Sequence, residues 1–187
     1  ARAIVDISHR MGLKVSSHAL SAGAVKAAVR AGVDTIEHGY GLDEECIQLM
    51  LENDTYFVPT MQLFELASQY MDSTGREDWP FIRNYRTARD MGLENVAKAV
   101  SAGVKIAFGT DSAQFFNPHD EIVTELHMLK KVGFSSMEAI VSATKTSAEA
   151  LGEQRNLGTL ERGKFADLIV VDGDPLEDVD SLRRPTL

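Results

Sequence analysis

With 187 residues, 44% of them hydrophobic and 25% charged, the chain has the composition of one globular domain with a sizeable core. A formal charge of -9 and a pI near 5.0 argue against a surface built to neutralise phosphates or anionic lipid headgroups, so no nucleic acid and no membrane is expected as a partner, and a small neutral or cationic substrate fits better. The single cysteine, Cys46, permits no intrachain disulfide, no apolar run approaches the roughly 20 residues that span a bilayer, and residues 1–10 lack the apolar core of a signal peptide, so a cytoplasmic setting is the expectation.

Strands and helices take turns along the chain. Residues 1–11 read as a helix stopped by Gly12, and residues 13–18 (Leu-Lys-Val-Ser-Ser-His) as a short strand. A helix follows over 22–31 and ends at Gly32, where a left-handed cap costs little. Thr35 to His38 is the next strand, and Asp43 caps a helix whose apolar positions Cys46, Ile47, Met50 and Leu51 keep helical spacing. Residues 56–60 make a third strand. A long segment holding Trp79 and Pro80 comes after it, then a helix over about 81–102 backed by Gly103. Residues 104–108 form a fourth strand, with a helix over 118–131 beyond it. Four strand-then-helix units imply an α/β fold with a parallel sheet and helical crossovers. Past the fourth unit, residues 136–152 read as a helix whose start, Ser135 to Glu138, matches a capping box. The tail then turns to β, with an apolar strand over 168–171 closed by Asp172-Gly173-Asp174-Pro175. The expected division is residues 1–152 as the main unit and 153–187 as part of a small β appendage.

The chemically capable residues fall at equivalent points of the repeat. His18 ends the first strand, His38 ends the second, and Asp111 follows the fourth in Phe108-Gly109-Thr110-Asp111. In a barrel of parallel strands, active sites form at such C-terminal strand ends. Each residue alone has a plain alternative, since a strand-end histidine is often a satisfied structural residue and an aspartate before a helix is often a cap. Together, two imidazoles and a carboxylate suit a divalent cation such as zinc, and the carboxylate can also take a proton. His119, just beyond Asp111, would lie at the rim of such a site and contact substrate, or else face solvent at a helix start. His9 and His127 read as surface residues and Cys46 as core. Glu37 is expected to alternate away from His38 and point towards the helices.

The order and spacing of Val15-Ser16-Ser17-His18-Ala19, Ile36-Glu37-His38-Gly39, Phe108-Gly109-Thr110-Asp111 and the run GKFADLIVVDGDPL from Gly163 to Leu176 resemble the amidohydrolase superfamily. The subgroup most similar is the imidazolonepropionase-related and prolidase-like one. The resemblance covers nearly the whole chain and implies the C-terminal half of a (β/α)8 TIM-type barrel, strands five to eight, with part of the β appendage. It implies that His18 and His38 bind one metal and that Asp111 touches a second and serves as general base. The expected cofactor is a divalent metal, zinc foremost, as one or two ions. The expected reaction is hydrolysis of a C–N bond in a small-molecule amide, cyclic amide or dipeptide-like substrate.

The same family needs a His-x-His pair on strand one and, in two-metal members, a carboxylated lysine on strand four. No His-x-His occurs among the five histidines, and the 17 residues before His18 are too few for a fourth strand and its crossover helix. Lys14 lies on the same strand as His18 and cannot stand in. The expectation is a chain truncated at both ends, inactive alone, whose partner is its own N-terminal half or a second copy. Some dipeptidase-like relatives carry a polar or aromatic residue just after the strand-five histidine. Ala19-Leu20 departs from that pattern, which weakens the peptidase reading. The competing class is a non-catalytic half-barrel or assembly module whose histidines are structural. A phosphate-binding barrel enzyme is disfavoured, because no glycine-rich loop follows the last two strands.

Overall fold

The computed structural model describes residues 1–75 and 80–186, and of residues 80–84 the backbone alone; Trp79 lies outside the described residues. The elements are α1 (Arg2–Arg10), β1 (Ser16–Ser21), α2 (Ala22–Ala31), β2 (Thr35–Gly41), α3 (Glu44–Glu52), β3 (Tyr56–Val58), α4 (Met61–Thr74), α5 (Pro80–Ala102), α6 (Val123–Lys131), α7 (Ser136–Val141), a π turn (Ser142–Thr146), α8 (Ser147–Ala150) and a 3-10 helix (Val179–Arg183). The fold is α/β around a parallel sheet in the order β1-β2-β3, with Ser16 opposite Thr35 and Thr35 opposite Tyr56. No helix among the described residues is long and apolar enough to cross a membrane.

Local signals set most boundaries. Ser21 accepts from Ala24 N at the start of α2, and Gly32 closes that helix at φ 92. Asp43 accepts from Cys46 N to open α3. The capping box of Ser135 and Glu138 forms as the spacing predicts, satisfying two amides reciprocally. The helices lay Val25, Val29, Cys46, Met50, Val96 and Leu129 against Ile36 and Phe57 of the sheet, all with at most 1% exposure. Full burial of an aliphatic or aromatic side chain is worth about 1.5–3 kcal/mol, so this cluster, which includes the predicted core residue Cys46, is what holds the layers together.

Several expectations change, among them the first two strands, which run past His18 to Ser21 and past His38 to Gly41 instead of ending at the histidines. The long segment after β3, for which the sequence predicts no element, holds a 14-residue helix, α4. The fourth strand shrinks to one parallel bridge between Ile106 and Phe57, in which Phe57 N donates to Lys105 O and Ala107 N to Phe57 O. Two of its other backbone groups are claimed by side chains: Ser142 Oγ donates to Ile106 O at 2.9 Å, and Phe108 N donates to Ser147 Oγ at 3.0 Å. The helix predicted from Pro118 begins only at Val123, after a separate turn in which Glu121 N donates to Pro118 O. The tail strand over 168–171 is reduced to a bridge from Val171 to Pro185, because a strand without a long partner has nowhere to place its amides and a proline offers none.

Candidate active site

β2 carries the central residue of the site. Along it Ile36 faces the helices, while Glu37 takes the opposite face and accepts from Ser16 Oγ at 2.7 Å and Thr35 Oγ1 at 2.6 Å. This reverses the expectation for Glu37, which sits on the sheet face away from the packed helices. His38 then leaves the alternation altogether, with a left-handed φ of 76. Such a conformation is costly for a residue with a Cβ and persists only where its surroundings hold it. Gly39 follows at φ 55, where a Cβ would meet the Phe57 ring at 2.6 Å, so the turn admits only glycine.

Three contacts hold His38. Its Nδ1 lies 2.7 Å from Thr60 Oγ1 and 2.9 Å from the Tyr40 hydroxyl, and those two oxygens are 3.1 Å apart. The His18 ring stands edge-on to it, with centroids 4.5 Å apart and planes at 71°. A proton on Nδ1, where two hydroxyl oxygens stand ready to accept it, leaves the Nε2 lone pair free. Burial pushes the His38 pKa down, the charge of Asp111 pulls it back up, and His18 pushes it down again. A neutral imidazole is the form that ligates metal.

Asp111 is exposed at the start of the turn after Gly109, with its own left-handed φ of 49. Gly109 passes so close to β3 that a Cβ there would meet Val58 Cγ1 at 2.5 Å. The Asp111 charge reaches Tyr40 and Tyr85 as well, whose phenols are pushed up first by burial and then by that carboxylate. An aromatic wall stands beside it: Tyr40 stacks edge-on to Phe64 at 4.1 Å, Phe64 on Tyr85 at 5.2 Å, and Tyr85 on Phe116 at 6.3 Å. His119 is exposed beyond Pro118. His9 pairs with Asp34 at 2.8 Å and His127 with Asp180 at 3.1 Å, both at the surface and away from these residues.

The fold thus brings His18 against His38 and sets Asp111 within electrostatic reach of His38. Two imidazoles, one of them held neutral, and a nearby carboxylate are the donor chemistry of a zinc-type cation. Among the described residues, however, no three His, Cys, Asp or Glu side chains stand close enough together to hold a metal ion. The donor set fits a divalent cation in kind and supplies part of a coordination sphere. Thr60 and Tyr40 were not singled out by sequence. Thr60 carried a signal, since it ends a predicted strand just as His18 and His38 do, whereas Tyr40 is placed only by the left-handed turn at His38.

Residues 1–186 match the amidohydrolase family, and the chain belongs to it. A crystal structure of a Xaa-Pro dipeptidase with methionine in its active site superimposes with a TM-score of 0.87 at 36% identity, over 98% of this chain and 45% of that one. The ochratoxinase of Aspergillus niger is 32% identical over 98% of this chain and 38% of its own length. The imidazolonepropionase of Thermoanaerobacter pseudethanolicus is 25% identical over 96% of this chain and 39% of its own. In each case this chain spans less than half of the other protein.

Proposed function

We propose that these residues are the strand-five-to-eight portion of a (β/α)8 metal-dependent hydrolase that cleaves C–N bonds in small amides, cyclic amides or dipeptide-like substrates, with residues 153–187 belonging to its β appendage. The observation that carries this reading is the His18–His38 pair, with the His38 Nδ1 engaged by Thr60 and Tyr40 and the Asp111 charge within electrostatic reach of the ring. His18 and His38 would hold a divalent ion, zinc by donor chemistry, and Asp111 would complete or adjoin the site. When bound, that ion supplies Lewis-acid polarisation of the scissile carbonyl and acidifies water. Asp111 takes the proton from the attacking water and passes it to the leaving nitrogen. Thr60 and Tyr40 keep the His38 ring from rotating, and the aromatic wall from Tyr40 to Phe116 excludes bulk water on one side. His119 contacts substrate at the rim.

Metal removal tests this. In the longer protein that carries this chain, chelation is expected to abolish amide hydrolysis and zinc to restore it, with His18→Ala and His38→Ala each lowering bound metal measured by elemental analysis. Undiminished hydrolysis in a metal-free preparation would reject the reading in favour of structural histidines in an assembly module. A related expectation concerns the 187 residues by themselves. The outer face of α1 shows Ile4 and Ile7, and the tail shows Leu168, Ile169 and Val170, all at least 46% exposed. Apolar surface of this kind is ordinarily covered by a partner. Sedimentation of the purified chain is expected to show self-association, and an assay of it no turnover; a monomeric active species would contradict it.

A further inference from the structure

Helix α4 starts without a cap of its own. Thr60 sits at its N-cap position in a left-handed conformation, and its side chain makes no bond to the helix, because the hydroxyl is engaged by His38 and Tyr40. The helix is capped instead from α6, where Glu125 Oε2 accepts from Gln62 N at 2.5 Å. Glu125 N in turn donates to Gln62 Oε1 at 3.0 Å. The other end of the Gln62 side chain continues the network. Its Nε2 donates to Asn117 Oδ1 at 2.7 Å and to Glu121 O. Asn117 Nδ2 then donates to Thr110 O at 3.0 Å and Asp111 O at 3.1 Å, with Gln114 Oε1 at 3.4 Å. Gln62, Asn117 and Glu125 are all 0% exposed. The opposed donors and acceptors allow each amide only one orientation.

We propose that Asn117, braced by Gln62, is a positioning residue for Asp111: it grips the two carbonyls that flank the Asp111 α-carbon and so fixes where the carboxylate points. The first turn of α4 makes this a two-sided fixture, since Thr60 at one end orients His38 and Gln62 two residues later orients Asp111. The left-handed φ of 49 at Asp111 shows why a fixture is needed, because that conformation is not one the residue would keep unaided. Asn117 touches neither reacting atom. Its effect passes through the main chain of Thr110 and Asp111.

The inference rests on Asp111 acting as the base, and the test keeps the two apart. In the active protein, Asn117→Asp, which keeps the shape but turns two donated bonds into repulsions, is expected to lower kcat about 10- to 100-fold with KM changed by less than about threefold. Backbone amides of residues 111–113 are expected to exchange with deuterium faster, while those of α2 and β2 stay as in the parent. Asn117→Ser, which leaves room for water, serves as a milder variant should the aspartate disturb folding, and is expected to lie between the two. Placed on Asp111→Asn, the Asn117 substitution should change the residual rate by less than about twofold, because there is no base left to misplace. Unchanged kcat and exchange, or a full additional loss on top of Asp111→Asn, would overturn the proposal. An Asp111→Asn protein as active as the parent would instead overturn the assignment of the base.

Discussion

Asp111→Asn should leave the protein folded and lower its turnover by about two to four orders of magnitude, the range that positioned proton transfer contributes. Asparagine matches aspartate in volume and tolerates the left-handed backbone that Asp111 adopts, so the grip of Asn117 on the flanking carbonyls survives. What is lost is the ability to take a proton from water and hand it to the leaving nitrogen. KM is expected to stay within a few-fold, because the aromatic wall and the histidine pair are untouched. Steady-state kinetics on a dipeptide or acyl-amide substrate, with thermal unfolding as the control for folding, decides the point. Activity within tenfold of the parent would remove Asp111 from the chemistry and leave it a structural aspartate.

The second large effect is on stability and comes from Glu125. Burial pushes its pKa up to about 8, against the favourable pull of the Gln62 and Met61 amides, and its Oε1 is buried with no hydrogen-bond partner among the described residues. The unfolded carboxyl titrates near its ordinary value of 4.5. Between those two values the folded protein keeps a proton that the unfolded chain has released, so it binds more protons than the unfolded state and stability falls as pH rises. The contribution is complete below about pH 4.5 and gone above about pH 8, with a slope of about 1.4 kcal/mol per pH unit in between. Glu125→Gln keeps an acceptor for the Gln62 amide and removes the titration. Its unfolding free energy, from urea melts at several pH values, should lack this slope and exceed that of the parent most at pH 8. Glu125→Ala, by contrast, strands the buried Gln62 amide in the first turn of α4 at about 1–3 kcal/mol. Parallel pH profiles for parent and Glu125→Gln would refute the assignment.

How much of this could be read from the sequence depended on whether the cause was local. Gly32, Asp43 and the pair Ser135 and Glu138 announce helix ends because a cap needs only its own neighbours, and each behaves as its spacing predicts. Helix α4 went unread although Phe64, Ala67 and Met71 keep helical spacing, since the group that caps it, Glu125, lies 63 residues away. The fourth strand and the tail strand were over-read for the same reason in reverse: their apolar runs are real, but a strand exists only where a neighbour pairs with it. At the site, His18, His38 and Asp111 were visible as polar residues at predicted strand ends, although β1 runs on past His18 to Ser21 and β2 past His38 to Gly41. The residues that orient them were not. Alternation sent Glu37 towards the helices and could not anticipate the left-handed turn that carries His38 round to His18. Gln62, Asn117 and Glu125 look in sequence like ordinary surface-helix and loop residues, and only their complete burial together gives them away.

Loss of a single residue inside the π turn over Ser142–Thr146 would disturb the chain near Asp111 more than most substitutions there. A π turn is an α-helix carrying one residue too many, and here the surplus is what lets Ser142 reach Ile106 O while Ser147, five positions on, reaches both Ser142 O and Phe108 N. Shortening the stretch by one restores regular helix and swings Ser147 through about 100° around the axis. The Phe108 amide then loses its acceptor, immediately before the Gly109–Thr110 approach to the site. The length of this segment is therefore as tightly constrained as the two serine hydroxyls that it spaces.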